Sequence, residues 1–511
     1  MTDWTDGYVA DITYTHGYYS ELNPLRMRLA LLYAGIRPPT VDTACELGFG
    51  QGMSINLHAA TSVTQWHGTD FNPSQAGFAQ ELAQVSGSNA HLFDEAFADF
   101  CARSNLPDFD FIGLHGIWSW ISDDNRQSIV DFIRRRLKVG GVLYISYNTQ
   151  PGWAAMVPLR ELLARHTEVL GMKGQEISQR IDTALDFSGK LFDANPAFAR
   201  ANPQVAERLK KIREQNRHYL AHEYFNRDWH PMSFARMGEW LAPAKIDYAC
   251  SANYLDHIDV LNLTAQQQTL LKDIPHPMFR QLVRDFCINQ QFRRDFWVKG
   301  ARPLNTLEQA ELLRTERCVL AQPRAQVSLR ANGNLGEATL QEAIYAPVLD
   351  ALADHQPQTL AKLEQAVKQQ NITFAQLLQA VIVLSGNGAL APAQNEAAIA
   401  QAKETSKRLN LYLMTKARSS NEASYLASPV TGGGMTVPRF QQLFMLAASQ
   451  GHKTPQDWAQ YVWHLLTLQG QRIVKKGKTL DTPEDNLAEL SAQAQTFADH
   501  DLSILKALQV A

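Results

Sequence analysis

A chain of 511 residues, with 45% hydrophobic and 19% charged side chains, can bury a large core and predicts roughly two to four domains. A formal net charge of -3 gives no global attraction to nucleic acid, so nucleic acid is not expected as a partner. The five cysteines include no C-x-x-C pair, which argues against a metal site or a disulfide framework. The absence of a signal-like N-terminus and of a long apolar run predicts a cytoplasmic protein with no membrane span.

The first informative element is a glycine-rich turn at residues 43–52, with the sequence TACELGFGQG. Residues 41–47 are predicted as a buried strand and residues 54–60 as a helix, so the glycines lie on a strand-to-helix turn. Glycine at such a turn permits tight turning and close approach of a ligand. The candidate cofactor-binding residues here form an E-x-G-x-G-x-G pattern: Glu46, Gly48, Gly50 and Gly52.

The spacing of these glycines distinguishes between two classes of cofactor-binding motif. A dinucleotide fingerprint, G-x-G-x-x-G, requires its last glycine at position 53, where this chain has Met53. The compact spacing, with an acid two residues before it, resembles motif I of the class I S-adenosylmethionine methyltransferases. An ordinary tight turn is the alternative.

The next predicted strand, residues 64–69, ends in Asp70. An acid about 20 residues after the first glycines is placed to reach ribose hydroxyls, and an ionised carboxylate accepts from both. The alternative is a helix-capping or turn residue before Asn72 and Pro73.

A third strand is predicted at residues 89–93 and is followed by Asp94. In methyltransferases of this type, an acid at this point meets the adenine amino group, and Asp94 is the choice made here. Glu95 and Asp99 are the alternatives.

Two further strands are predicted at residues 109–114 and 141–147, the latter after a helix that ends at Gly140 and Gly141. Strands that alternate with helices predict an α/β fold with a Rossmann-like, doubly wound parallel sheet. A ligand of such a sheet binds at the carboxyl ends of the strands, where the candidate residues fall.

Longer segments make the resemblance more specific. HGIWSWIS at residues 115–122 and SYNTQPGW at residues 146–153 are similar to signatures of bacterial methyltransferases that carry a methyltransferase regulatory domain, a group that includes the rickettsial protein lysine methyltransferases. Residues 14–34, 219–241 and 284–295 also resemble this family. The resemblance covers residues 8–300 and implies S-adenosylmethionine as cofactor and protein lysine as methyl acceptor.

The same comparison predicts the domain organisation. Residues 1–153 form the S-adenosylmethionine-binding methyltransferase domain, and residues 154–218 form a helical insertion that caps the site or forms a homodimer. Residues 219–300 correspond to the regulatory domain, and residues 301–511 form a mostly helical C-terminal domain with a winged-helix-like part.

The winged-helix-like part is predicted from helices at residues 346–353, 359–368 and 373–384, followed by a short β element. The third helix has no Lys or Arg to meet phosphates, so a protein-contact module is favoured over a DNA-binding one. If residues 301–511 recruit a protein substrate, their deletion is expected to spare cofactor binding and to lower methyl transfer to that substrate.

Two shorter motifs in the C-terminal part are not expected to bind a ligand. TGGG at residues 431–434 lacks the Lys-Ser/Thr of a P-loop and is expected to be a flexible loop. RIVKKGK at residues 472–478 is expected to be a solvated hairpin.

A binding site for the methyl acceptor is expected to have aromatic and polar side chains in its walls. An amine acceptor must be neutral, and aromatic faces tolerate both the cationic product and the sulfonium. Candidate catalytic residues follow strands four and five: His115, Trp118, Tyr147 and Asn148. His115 is considered as a base or orienting group, and Tyr14 and Tyr18 are added as cofactor-binding residues. Core packing is the alternative for each aromatic, and a structural role is the alternative for His115.

Two kinds of function follow from these observations. The first is methyl transfer, with protein lysine as the main acceptor and a small molecule or saccharide as the rival. The second is a non-catalytic scaffold that retains the cofactor fold.

Overall fold

The computed structural model describes residues 15–171 and 176–511. Its centre is a seven-stranded sheet with the order β3-β2-β1-β4-β5-β7-β6, in which β1 to β5 are parallel and β7 is antiparallel to both neighbours. The predicted α/β, Rossmann-like sheet is confirmed. The strands are β1 (Thr43–Leu47), β2 (Gln65–Asp70), β3 (Ala90–Asp94), β4 (Phe109–Leu114), β5 (Leu137–Asn148), β6 (Asp247–Ser251) and β7 (Phe292–Val298).

Helices between the first five strands begin at recognisable caps. The Asn72 side chain accepts from Ser74 N at 3.0 Å, Pro73 occupies the first turn, and the same helix ends at Gly87 in the left-handed region. The helices are α1 (Pro24–Tyr33), α2 (Met53–Thr61), α3 (Pro73–Ser86), α4 (Phe97–Ala102) and α5 (Asp123–Arg136).

The predicted end of α5 at Gly140 and Gly141 is wrong. The helix ends at Arg136, and both glycines lie within β5. Leu137, buried in the core beneath the sheet, already pairs with Phe109, so burial of this apolar residue starts the strand before the glycines.

The last two strands of the sheet come from residues far beyond β5. β7 pairs with β5 from Val142 to Asn148, and β6 pairs with β7. The sheet therefore crosses the expected boundary at residue 153. Helices around these strands are α11 (Phe234–Leu241), α12 (Asp259–Asn262), α13 (Ala265–Lys272) and α14 (Pro277–Ile288).

A helical insertion separates β5 from β6. Its apolar side chains, which include Leu163, Ile181, Leu185 and Leu209, form a core distinct from those on the two faces of the sheet. The insertion consists of α6 (Val157–Leu170), α7 (Ile177–Asp193), α8 (Ala197–Ala201), α9 (Pro203–Arg213) and α10 (Arg217–Tyr224).

The C-terminal portion is mostly helical with small sheets. The three helices predicted for its winged-helix-like part are present, and the third is buried from Ala380 to Ser385. The short strand that follows them pairs with β8, a strand upstream of the helices. The elements are α15 (Thr306–Thr315), β8 (Arg317–Leu320), β9 (Arg330–Gly333), β10 (Gly336–Thr339), α16 (Glu342–Asp350), β11 (Gln358–Thr359), α17 (Leu360–Ala366), α18 (Phe374–Gly386), β12 (Leu390–Pro392), α19 (Glu396–Lys416), β13 (Tyr425–Ser428), β14 (Gly433–Thr436), α20 (Arg439–Ser449), α21 (Pro455–Leu468), β15 (Val474–Lys475), β16 (Lys478–Thr479), α22 (Pro483–Thr496) and α23 (Leu502–Ala507).

The C-terminal portion is joined to the back of the Rossmann-like half. The hydroxyls of Thr405 and Ser406 on α19 donate to Ala60 O at 2.6 and 3.0 Å, and Gln394 donates to Thr61 O at 2.7 Å. One apolar core contains residues of α2 and α3 together with residues of α19 to α23. The two regions therefore share buried surface.

The TGGG segment is a buried hairpin, so its predicted flexibility is wrong. Residues 430–433 are buried, and the segment joins β13 to β14. A Cβ at Gly433 would lie 2.2 Å from the Tyr18 hydroxyl, so glycine permits the hairpin to lie against Tyr18. The chemical reason is a contact between residues distant in sequence, which local composition does not reveal.

The predicted hairpin at residues 472–478 is confirmed. β15 and β16 are exposed and pair through a turn at Lys476 and Gly477, both with positive φ. Within the described ranges, no helix is long and apolar enough to cross a membrane.

Candidate active site

A cavity of about 200 Å³ opens at the carboxyl ends of β1, β2 and β4. Its walls come from the glycine turn, the segment before α1, the segments after β3 and β4, and the insertion. The acidic side chains that line it are Asp70, Glu95, Glu223 and Asp228, and no Lys or Arg is among its described lining residues. The cavity is therefore suited to a cationic ligand.

The glycine turn forms one wall through Gly48 and Gly50. Gly48 N donates to Thr69 O at 2.8 Å, and Gly50 N donates to Asp70 Oδ2 at 2.8 Å. Gly48 has φ +73°, and a Cβ there would lie 2.6 Å from Ile117, another lining residue. Gly52 lies behind the wall, where a Cβ would meet Ala79 at 2.3 Å. The turn thus brings backbone directly to the cavity.

Two acids flank this turn in different settings. Glu46 is buried behind the turn and does not line the cavity, and its Oε2 has no hydrogen-bond partner among the described residues. Burial and the charge of Asp70 raise the pKa of Glu46 well above its usual range. Asp70 lines the cavity, and burial raises its pKa to about 6 although the N–H groups of Asn72 and Gly50 donate to it.

The acid that reaches the cavity after β3 is Glu95. Asp94, chosen from the sequence, is exposed at the end of the strand and does not line the cavity. Glu95 pairs with Arg103 through Oε1, while its buried Oε2 has no hydrogen-bond partner in the described structure. Because β3 continues to Asp94, the chain turns toward the cavity one residue later than predicted.

The segment before α1 contributes Thr15, Gly17 and Tyr19 to the wall. Tyr14, predicted to bind the cofactor, lies outside the described residues. Tyr18, also predicted to bind it, does not line the cavity: it lies half-buried against the TGGG hairpin, and the loss of solvent around its hydroxyl raises its pKa to about 12. The neighbouring Tyr19 takes the position at the cavity.

His115 lines the cavity and is held on both sides. Its ring stacks on Tyr19 with centroids 3.6 Å apart, and its Nδ1 lies 2.8 Å from the Tyr144 hydroxyl. Burial lowers the pKa of His115 to about 4, although Glu21 opposes this shift. The imidazole is therefore neutral at pH 7 and a weaker base than its ordinary value suggests.

The other predicted catalytic residues do not line the cavity. Trp118 is fully buried, and its Nε1 donates to Met232 Sδ at 3.3 Å. Tyr147 faces the opposite side of β5 from Tyr144, and its hydroxyl donates to Asp295 Oδ2 at 3.0 Å. Asn148 is buried, with its backbone N–H donating to Ser119 Oγ. The alternation of side chains along β5 explains the placement of Tyr147.

Among the lining residues that sequence reasoning missed is a group of four acidic and polar side chains: His222, Glu223, Asn226 and Asp228. They belong to α10 and the segment after it, within a sequence used only for the family resemblance. Asn226 follows the end of α10, and its side-chain amide donates to His222 O at 2.7 Å, which holds the two residues together. The backbone of His230 donates to Ser119 O at 2.8 Å, which ties this segment to the loop after β4.

Comparisons with known proteins agree with this architecture. Residues 216–299 match the family described as a predicted methyltransferase regulatory domain. The uncharacterized protein sll1526 of Synechocystis is 41% identical over 513 residues, which cover 99% of this chain and 99% of that protein. The structure of PKMT2 from Rickettsia typhi in complex with AdoHcy has a TM-score of 0.69 at 18% identity, covering 98% of this chain and 100% of that one. The chain therefore belongs to one family with the Synechocystis protein, contains a predicted methyltransferase regulatory domain at residues 216–299, and has the fold of the Rickettsia typhi protein.

Proposed function

We propose that the chain transfers a methyl group from S-adenosylmethionine to the side-chain amine of lysine in a protein substrate. The observation that carries the proposal is one cavity, which joins the glycine turn to a region bordered by Trp120, Glu223 and Asp228. This single space supports a donor site beside a site for a cationic acceptor. The name of the Rickettsia typhi protein, PKMT2, agrees with a lysine acceptor.

The chain's own residues fit the cofactor. The turn at Gly48 and Gly50 leaves room for close approach of a ligand to backbone, and the unpartnered Oε2 of Glu95 supports acceptance of a hydrogen bond from the adenine amino group. We assign Asp70 to the ribose hydroxyls because it lines the cavity at the end of β2. Glu46 then supports the turn from behind.

When bound, S-adenosylmethionine supplies an electrophilic methyl group on a sulfonium. The residues of the chain bind and orient the acceptor, exclude water and hold the acceptor's proton. Trp120, whose ring centroid lies 6.2 Å from that of Trp229, offers an aromatic surface suited to a cationic side chain. The neighbouring carboxyls of Glu223 and Asp228 add electrostatic attraction for an ammonium group.

We further propose a cytoplasmic protein substrate and a homodimer formed through the insertion. Exposed apolar side chains on the insertion, among them Val169, Leu170 and Phe187, support an interface there. Sedimentation at several concentrations tests the dimer, and a monomer at all of them would contradict it.

The central experiment measures transfer of a labelled methyl group to proteins of a cell lysate, with calorimetry of AdoHcy binding alongside. We expect label in N-methylated lysine and loss of both binding and label in Gly50→Asp. Label confined to small molecules or saccharides would favour that rival acceptor class. Binding without any transfer would favour the scaffold, and no binding by the wild type would refute the proposal.

A further inference from the structure

Glu223 differs from the other acids of the cavity in its contacts. Glu95 pairs with Arg103, Asp70 accepts from two backbone N–H groups, and Asp228 pairs with Arg227 and His230. Within the described part of the chain, no ion pair or hydrogen bond joins Glu223 to another residue. Its carboxyl therefore retains its accepting capacity for a ligand.

The position of Glu223 on the insertion places it apart from the residues assigned to the cofactor. It lies on α10, whereas Asp70 and Glu95 follow strands of the sheet. Trp120, Asn226 and Asp228 line the cavity with it. This end of the cavity is made by the loop after β4 and by α10 with the segment after it.

The electrostatic setting of Glu223 suits exchange of a proton at neutral pH. Burial raises the pKa of Glu223 to about 7, although the charge of Arg208 opposes this shift. The Arg208 guanidinium lies 4.0 Å from the centroid of the Trp153 ring. A carboxyl with a pKa near the working pH accepts and releases a proton readily.

We infer that Glu223 is the catalytic base that accepts the proton of the substrate ammonium, an inference that rests on the proposed methyl transfer to an amine. The N–H bond of the ammonium breaks, and the proton moves to a carboxylate oxygen of Glu223. The freed lone pair forms the bond to the methyl carbon of the sulfonium donor, and the C–S electron pair stays on sulfur. Methylammonium and thioether result, and Glu223 releases the proton to solvent.

The other groups at the cavity are less suited to this role. His115 has a pKa of about 4 and is held by Tyr19 and Tyr144. Asp228 is held by the side chains of Arg227 and His230. Glu223 combines a cavity position with an unoccupied carboxyl.

The test compares Glu223→Gln with Glu214→Gln, an exposed acid in the same insertion. We expect both variants to bind AdoHcy within about twofold of the wild type. At pH 7 and saturating cofactor, Glu223→Gln should transfer label to lysate proteins roughly 100-fold more slowly, while Glu214→Gln should match the wild type. Glu223→Asp should recover part of the lost rate.

The pH dependence distinguishes a base from a structural residue. The wild-type rate should rise with pH and level off above about pH 7, because Glu223 is then ionised. The rate of Glu223→Gln should keep rising about tenfold per pH unit up to pH 9, since only the free amine of lysine, with a pKa of about 10.4, reacts. An equal loss at every pH, or a profile like that of Glu214→Gln, would overturn the inference.

A readout independent of turnover completes the test. Burial also raises the pKa of Asp285, which lies outside the cavity, to about 7. Difference infrared spectroscopy of the AdoHcy-loaded wild type should therefore show a carboxylic acid signal near pH 7 from both groups, and Glu223→Gln should lose the part that comes from Glu223. An undiminished signal in the variant would contradict the assignment. If the wild type binds no AdoHcy, the proposed function fails, and the infrared titration of the ligand-free protein still tests the state of Glu223.

Discussion

The helical insertion and the C-terminal portion are attached to the Rossmann-like half in opposite ways. The insertion has an apolar core of its own and, together with the segment after α10, supplies four residues directly to the cavity: His222, Glu223, Asn226 and Asp228. The C-terminal portion supplies none of the described lining residues, yet it shares a core with Met53, Leu57, Ala60 and Leu82 of α2 and α3. Proximity to the site therefore does not indicate which region the fold depends on.

Removal of each region gives the largest expected contrast. Truncation after residue 300 exposes the four apolar residues of α2 and α3, at roughly 1.5–3 kcal/mol for each large side chain, so we expect no cooperative unfolding transition and no AdoHcy binding. This reverses the sequence-based expectation that cofactor binding survives the deletion. Replacement of residues 157–224 by a flexible linker should leave AdoHcy affinity within about tenfold and abolish transfer. Thermal melting and calorimetry measure the unfolding transition and AdoHcy binding of the two variants. Equal losses in both would contradict the proposed difference between the two regions.

A single glycine tests how the C-terminal portion acts on the cavity. Gly433→Ala places a Cβ 2.2 Å from the Tyr18 hydroxyl, next to Tyr19 of the cavity wall. We expect a loss of about 1–3 kcal/mol in unfolding free energy and roughly tenfold weaker AdoHcy binding. Tyr18→Phe, which removes the clashing oxygen, should restore much of both in the double variant.

The matched control is Gly77→Ala on α3, where a Cβ meets nothing within 4 Å. It should stabilise the protein by about 0.5–1 kcal/mol and leave AdoHcy affinity unchanged. A Gly433→Ala protein that behaves like this control would show that the hairpin does not position the segment before α1.

A comparison of Glu95 with Asp94 tests which acid after β3 contacts the cofactor. Glu95→Gln should weaken AdoHcy binding roughly tenfold, since it places an amide where a carboxylate accepts a hydrogen bond. Asp94→Asn should change the affinity less than about twofold, because Asp94 is exposed and outside the cavity. Calorimetry at pH 7.5 measures both, and a larger effect of Asp94→Asn would restore the original assignment.

The smallest expected effect is a pH dependence that comes from Asp70. Ribose hydroxyls donate hydrogen bonds to the carboxylate of Asp70 and therefore favour its ionised form. Because the pKa of Asp70 is about 6, this form is lost as the pH falls through 6. AdoHcy affinity should therefore fall roughly tenfold from pH 7.5 to pH 5. Asp70→Asn should bind more weakly and lose most of this dependence, and an unchanged slope would contradict the role.

The contribution of Asp70 to the stability of the ligand-free protein should fall as the pH rises, whereas AdoHcy affinity should rise. The pKa of Asp70 is raised from 3.8 to about 6, so ionisation penalises the folded state. The penalty appears above pH 4 and is complete above pH 6, at about 3 kcal/mol. Chemical denaturation of the wild type and of Asp70→Asn at pH 5 and pH 7.5 measures this difference.

The sequence predicts the first five strands of the sheet because most of them are short apolar runs between clear turns. Residues 109–114 were predicted with the bounds that β4 has, and the acid and glycines around β1 and β2 fall where expected. These features depend on local periodicity and on the backbone freedom of glycine. They need no knowledge of distant neighbours.

The candidate site was predicted less completely because its walls depend on distant contacts. Tyr147 was expected at the cavity, but it is paired with Asp295 across the sheet. Tyr18 is held by a hairpin more than 400 residues away in sequence, at Gly433. Glu223 carries no local sign of burial. Such placements are decided by which face of a strand or helix another region covers.

The late arrival of β7 has a consequence for biosynthesis. β5 ends at Asn148, but the strand that pairs with its outer edge begins at Phe292. During translation this edge stays open until β7 has emerged from the ribosome, roughly 10–30 s at 5–20 residues per second. An open apolar edge attracts other strands, so the nascent chain is expected to engage chaperones before its sheet closes.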